Sequence, residues 1–330
     1  MKDKSYLTYT MKHSIIKLVL FLCLFIISDV TIAEEAKKLS SWIDYFQEAT
    51  VAIGVIKSIE YTGEDSTAIK KDFFKVIGTG VLFGLPDDTL NIPMLVTAKH
   101  VFIDTSKNWE PTSLQIRFKW FEERPFDEYL GITIDLKDGT NKLWFSHPNA
   151  EIDLACLPLI IPIYEAGGDK INIIPSEDFA CADDIFEGAS VFVLGYPGAI
   201  GGAFLTKAIV RQGIISWISP VDPESNYILI DCNIFPGNSG GPVLKIPTGI
   251  DRHGSFKIGG KVKLLGIVSK NYLETLPLTK SGLRKIEIPI QKDGKIVYDT
   301  LISQEFIDIG VIEPASRVKE LLLVVKKKLH

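Results

Sequence analysis

Pro236-Gly237-Asn238-Ser239-Gly240-Gly241-Pro242 is the stretch on which the reading of this chain turns. A serine held between an Asn and two glycines, with Gly237 two places earlier, marks a backbone bent where side chains would clash, because glycine permits positive φ and close approach. Such a bend exposes one hydroxyl and aims main-chain N–H groups at a point beside it, which is what an oxyanion hole in acyl transfer requires. The heptad therefore nominates Ser239 as a nucleophile, with the N–H groups of Gly237 and Ser239 as the hole. A polar glycine-rich turn without chemistry is the plain alternative.

A serine hydroxyl is a poor nucleophile at neutral pH and needs a base within hydrogen-bond reach, itself oriented by a third group. The chain has five histidines. His13 lies in an apparent leader, His330 is terminal, His253 sits in a polar glycine-containing loop and His147 precedes a proline. His100 ends the apolar run Met94-Leu95-Val96-Thr97-Ala98-Lys99-His100-Val101, which would fix its ring at the end of a buried strand. For the acid, Asp153 opens the apolar run Asp153-Leu154-Ala155-Cys156-Leu157, where a carboxylate is tolerated only if it accepts hydrogen bonds or faces a cation. Asp135 has similar surroundings and is the second candidate. Ser239 also satisfies the G-x-S-x-G elbow of α/β-hydrolases, but there the acid and histidine follow the serine. Here the order is His100, Asp153, Ser239, the order of a chymotrypsin-type triad.

The rest of the chain reads as strands. Thr50–Ile56, Phe74–Phe83, Pro93–Thr97, Leu114–Phe118, Ile132–Leu136 and Leu154–Ile161 are apolar or alternating, with Asp, Gly, Pro and Asn between them. A second set covers Ser190–Leu194, Lys207–Ile218, Tyr227–Asn233, Val243–Ile246, Val262–Lys270, Lys285–Ile290 and Ile307–Ile312. Many short strands with turn signals indicate an all-β sandwich or barrel. Leu39, Trp42, Ile43 and Phe46 predict a short leading helix, and Val318, Leu321, Leu322 and Val325 a closing one after Pro314. Residues 272–304 read as an elaborated loop or hairpin.

Lys12 and Lys17 precede the apolar run Leu18–Ile27, and Thr31-Ile32-Ala33 offers small residues for a signal peptidase, so residues 1–33 read as a signal peptide. The run is short for a bilayer span, and periplasmic or secreted localisation is expected, without stable membrane association after cleavage. Removing those residues, with four Lys against two Asp, takes the formal charge from −5 to −7. An acidic chain without a Lys/Arg-rich helix face excludes nucleic acid as the expected partner. Cys156, Cys181 and Cys232 remain, an odd number. Pairing of Cys156 with Cys181 and buried free thiols are both open. No ligand spacing suggests a metal or cofactor.

Thr97-Ala98-Lys99-His100-Val101, Asp153-Leu154-Ala155 and the serine heptad resemble the trypsin-like serine peptidases of the chymotrypsin superfamily, and among them the bacterial HtrA/Deg-like branch. Gly195-Tyr196-Pro197-Gly198 and Gly213-Ile214-Ile215-Ser216 resemble its second-barrel strands, and the likeness runs from about residue 48 to 326. It implies two six-stranded antiparallel β-barrels: 34–163 with the leading helix, a linker over 164–186, and 187–330 with the terminal helix. It implies an exported serine endopeptidase acting on protein or peptide substrates, with His100 and Asp153 on the first barrel and Ser239 on the second. Leu265–Ser269 resembles the strand that pairs with substrate, so Ser269, Lys270 and Asn271 would bind an extended peptide through their main chain. Digestive members carry an Asp directly before the serine to capture a new N-terminus. Asn238 cannot, so activation by that route is not expected. Asn233, where an acid would select Lys or Arg, and Ile234 beside it imply a pocket for small or medium uncharged side chains. A PDZ domain, usual in HtrA proteins, is not expected. A non-catalytic peptide-binding module on the same scaffold, or an esterase using the same triad, are the rival readings.

Overall fold

β-Branched and aromatic residues dominate residues 50–83, and in the computed structural model this stretch forms the longest ladder of the fold. The structure describes residues 42–62, 68–85, 92–118, 130–159, 172–198, 207–219, 228–247, 249–271, 283–292, 295–304 and 309–329. The expected signal peptide and residues 164–171 of the expected linker lie outside them. The chain divides into residues 1–45 and 46–330, and every strand belongs to the second unit. Residues 42–48 are helical, as the apolar spacing there predicts.

The first lobe is antiparallel. It contains β1 (Thr50–Thr62), β2 (Ala68–Phe83), β3 (Met94–Thr97), β4 (Ser113–Phe118) and β5 (Leu130–Asp135), then a small hairpin of β6 (Lys137–Asp138) and β7 (Asn141–Lys142), and finally β8 (Phe145–Ser146) and β9 (Ala155–Pro158). Seven of these form one sheet in the order β5-β4-β1-β2-β3-β9-β8. Ile132 from one end and Leu157 from near the other belong to a single core with Ile53, Leu95, Leu114 and Ile116, so the sheet curls round its own apolar face. Among the described residues the ladder does not close into the six-stranded barrel expected. β8, at the far edge, has two residues and cannot carry a ladder across to β5.

The second lobe does close. β10 (Ser190–Gly195), β11 (Ile209–Ile218), β12 (Ile228–Asp231), β13 (Pro242–Lys245), β16 (Lys263–Asn271) and β19 (Ile309–Pro314) form a closed barrel in the order β10-β11-β12-β19-β16-β13. Its core is Val191, Val193, Ile215, Ile228, Ile230, Val243, Leu265, Val268 and Ile312, with the inward side chains alternating along β10 and β12. Between β13 and β16 lies a hairpin of β14 (Gly249–Ile250) and β15 (Phe256–Lys257). A longer one, β17 (Leu283–Lys292) with β18 (Lys295–Gln304), fills part of the 272–304 segment.

The closing helix, Ala315–Leu329, buries Val318, Leu321, Leu322 and Val325, the face its apolar spacing predicts. It crosses to the first lobe, where Glu320 accepts a hydrogen bond from the buried His147 ring at 3.1 Å. No helix among the described residues is long and apolar enough to cross a membrane. No disulfide joins Cys156, Cys181 and Cys232 among the described residues; Cys181 is exposed and the other two are buried.

Candidate active site

β3 delivers its chain into a single helical turn, Lys99–Phe102, and His100 stands on that turn. The turn is seated by Val101, which packs where Gly78 of β2 leaves room; a Cβ at Gly78 would lie 2.6 Å from the Val101 side chain. Opposite, the loop before β9 brings up Asp153. Its Oδ1 accepts the His100 backbone N–H at 3.0 Å, and its Oδ2 lies 2.7 Å from His100 Nδ1. Nδ1 must carry the proton to bond a carboxylate, which leaves Nε2 as the acceptor facing outward.

Asp153 is further committed. Ser269 Oγ donates to its Oδ2 at 2.9 Å, its carbonyl accepts the Lys99 N–H at 3.1 Å, and its own N–H donates to Glu313 Oε1 at 3.2 Å. Burial works to raise the Asp153 carboxyl, but the hydrogen bonds and charge of His100 and the Ser269 hydroxyl outweigh it and hold the group below its ordinary value. Ser269 reaches it because β16 shifts register against β19 between Val268 and Lys270, a bulge that re-aims one side chain.

The serine loop is built by committed and uncommitted amides. Asn238 N–H donates to the Phe235 carbonyl, Gly240 N–H to Val268 and Gly241 N–H to Asn238. Among the described residues the N–H groups of Gly237 and Ser239 donate to no protein acceptor. The trans peptide sets where they point. The Pro236 carbonyl is held by Gly198 N–H at 2.9 Å, so the Gly237 N–H is turned the other way. The Asn238 carbonyl is held by Gly241, which turns the Ser239 N–H likewise.

Two glycines make the bend. Gly237 (φ +99°) and Gly240 (φ +88°) occupy the left-handed region, and a Cβ on Gly240 would fall 1.9 Å from the Thr79 carbonyl oxygen. Asn238 is buried, its side chain filling the space left by Gly195. Thr79 ties the loop to the first lobe. Its N–H donates to the Ser239 carbonyl at 2.8 Å, and its Oγ1 donates to the Gly237 carbonyl at 2.7 Å while accepting the Tyr196 N–H at 3.0 Å. Ser239 is half-buried, and among the described residues no hydrogen bond joins its hydroxyl to the His100 ring.

A family model, the trypsin-like peptidase domain, matches residues 78–249, more than half of the chain and a span that includes His100, Asp153 and Ser239. This chain belongs to the trypsin-like peptidase domain family. Among solved structures it is similar to the HtrA-type protease AlgW with a tripeptide, at 16% identity and TM-score 0.43, over 87% of this chain and 62% of that one. It is also similar to Rv3671c from M. tuberculosis in its inactive form, at 16% identity and TM-score 0.40, over 86% of this chain and 90% of that one. The chain thus spans less than two thirds of the AlgW chain. No curated protein matches it in sequence.

The remaining sequence-predicted residues fall in three places. Asn233 is exposed and its carbonyl accepts from Arg211 Nη1 at 2.7 Å, whereas Ile234 is buried in the second-lobe core. Ser269, Lys270 and Asn271 end β16, and on its β13 side the pairing stops at Ile267 opposite Pro242, so the main chain beyond has no strand on that edge among the described residues. Asp135 ends β5, opposite Ser113. Sequence reading missed Thr79, Thr97, the Ser269 side chain and Glu313. The signal for Thr79 was present: one hydroxyl between two glycines in an apolar strand. No cluster of His, Cys, Asp and Glu suited to a metal occurs among the described residues.

Proposed function

We propose that this protein is a serine endopeptidase with His100, Asp153 and Ser239 as its triad. Ser239 Oγ attacks a peptide carbonyl carbon as its proton passes to His100 Nε2, and the carbonyl oxygen becomes an oxyanion held by the Gly237 and Ser239 N–H groups. The C–N bond then breaks, the amine takes the proton from Nε2, and an ester to Ser239 remains. Water attacks that ester through the same relay, releasing the acid and restoring the hydroxyl. Each oxyanion donor contributes about 10²–10³ in rate.

The observation that carries this reading is the pair of uncommitted N–H groups on either side of Asn238, in a loop tied by Thr79 to the lobe that holds the His100–Asp153 couple. The open end of β16 supports binding of the substrate backbone as an added strand through Ser269, Lys270 and Asn271. Asn233 in place of an acid supports a preference for small or medium uncharged side chains before the cut. The leader pattern of residues 1–33 supports export to the periplasm or medium, and mass spectrometry of the mature N-terminus tests it.

The open link between Ser239 and His100 favours a second reading, a module that captures extended peptides without cutting them. Substrate-free catalytic bonds are commonly long, so one experiment separates the two. A fluorophosphonate probe should label the wild-type chain at Ser239, and an unfolded protein substrate should be cleaved. Ser239→Ala should lose both while keeping its circular dichroism and melting temperature. Peptide binding without labelling or cleavage would establish the module instead.

A further inference from the structure

A cavity of about 310 Å³ opens beside His100, and every described residue lining it belongs to the first lobe. Its floor is apolar: Val55, Ile77, Val101 and Trp109. The floor is preformed, because the Trp109 indole N–H donates to the Val101 carbonyl at 3.0 Å.

The rim is cationic. Val55 stands opposite Lys75 in the β1–β2 ladder, Lys57 lies two places further along β1 on the same face, and Ile77, the extra residue where the register shifts, lines the same cavity. Two ammonium groups therefore rise from the face that supplies half of the floor. A third, on Lys107, is spent on Asp104 at 3.2 Å. Lys57 and Lys75 are exposed and make no ion pair among the described residues. An apolar floor below two uncommitted ammonium groups suits a side chain with a short carbon stem ending in a carboxylate.

The lobe fixes which part of a substrate arrives there. The open edge of β16 that would hold the peptide ahead of the cut belongs to the second lobe, and no described residue of that lobe lines this cavity. His100 would hand its proton to the departing amine, so the first-lobe flank of its ring faces the segment that leaves with that amine.

We propose that this cavity selects an acidic side chain, Glu or Asp, at the first or second residue after the cleaved bond, through Lys57 and Lys75. The proposal rests on the peptidase reading. Exposed ion pairs are weak, so each lysine contributes a preference of about fivefold at most, and the two together about 25-fold at most for Glu over the neutral Gln.

The test uses the full chain and matched peptides that differ only in Glu, Gln or Lys at those two positions. Cleavage efficiency should fall in that order at low salt, and the Glu-to-Lys ratio should shrink toward one near 1 M salt, where the screening length is about 3 Å. Lys57→Glu with Lys75→Glu should invert the order. Equal cleavage of Glu and Lys peptides by the wild type at low salt, or a Glu preference that survives the double reversal, overturns the pocket. The salt series alone decides if the double variant does not fold. Fluorophosphonate labelling of the wild type keeps the two readings apart. Labelling with indifferent cleavage refutes the pocket alone, and neither labelling nor cleavage of any peptide refutes the peptidase reading and the pocket with it.

Discussion

The N–H of Thr79 donates to the carbonyl of Ser239 at 2.8 Å, so the residue proposed as nucleophile is fastened to the opposite lobe through its own backbone. The Thr79 hydroxyl adds two bonds, to the Gly237 carbonyl and from the Tyr196 N–H. Thr79→Val keeps the shape and the backbone bond but strips both side-chain bonds, leaving two buried polar groups unmatched at about 1–3 kcal/mol each. We expect a clear loss of stability in urea unfolding and slower fluorophosphonate labelling, with Thr79→Ser restoring both. A Thr79→Val chain that unfolds and labels like wild type would contradict this role.

Ser269→Ala removes one of the donors that hold Asp153 below its ordinary value. A carboxylate with a depressed folded pKa stabilises the fold above its unfolded value, and that stability is lost as pH falls through the folded value. With the Ser269 donor gone the folded value moves up. The variant should therefore be less stable than wild type at neutral pH, and the gap should close as acid protonates Asp153 in both chains. Hydrogen bonds to charged groups are worth about 1.5–3 kcal/mol, so kcat/KM should fall by about tenfold or more. A stability gap that stays constant down to acid unfolding would count against the bond to Asp153.

The longer strands and the two helices were legible because each announces itself within a dozen residues, by alternation, by turn residues or by a helical apolar stripe. His100 and Asp153 could be singled out because each borders an apolar run where a polar side chain needs a reason to be. The supporting cast could not. Ser269 lies 116 residues from Asp153 and Glu313 lies 160, and their roles exist only once the lobes are packed. The open first-lobe sheet was equally hidden, since β8 is too short to show a period. Nothing in the sequence sets Lys57 and Lys75 apart; only the ladder puts Lys75 opposite Val55 and both lysines on the cavity that Val55 and Ile77 line.

Gly240 tests the bend itself. A Cβ there would lie 1.9 Å from the Thr79 carbonyl oxygen and 2.2 Å from Thr97 Oγ1, two atoms already bonded to each other at 2.7 Å. Neither can retreat without breaking that bond, and φ of +88° is costly for any L side chain. Gly240→Ala should cost about 3 kcal/mol or more. Gly139→Ala, also at positive φ but with nothing within 4 Å of the added carbon, should cost only about 1 kcal/mol. Chemical denaturation of the pair measures the difference, and equal costs would mean that the serine loop can shift away from Thr79.

His147 links the closing helix to the first lobe through Glu320 and should make the fold sensitive to mild acid. Its Nδ1 accepts the Asn149 N–H at 3.1 Å, so the proton sits on Nε2 and is donated to Glu320. Burial lowers its pKa and outweighs the opposing pull of Glu320. Because the folded value lies below the ordinary one of about 6.5, the unfolded chain takes up a proton first as pH falls, and stability drains away between the two values. The melting temperature should decline as pH falls through the ordinary histidine value of about 6.5, above the range in which the depressed Asp153 carboxyl titrates. His147→Gln, which cannot take up that proton, should show a flatter decline over the same window. Parallel slopes for the two chains would assign the acid sensitivity to other groups.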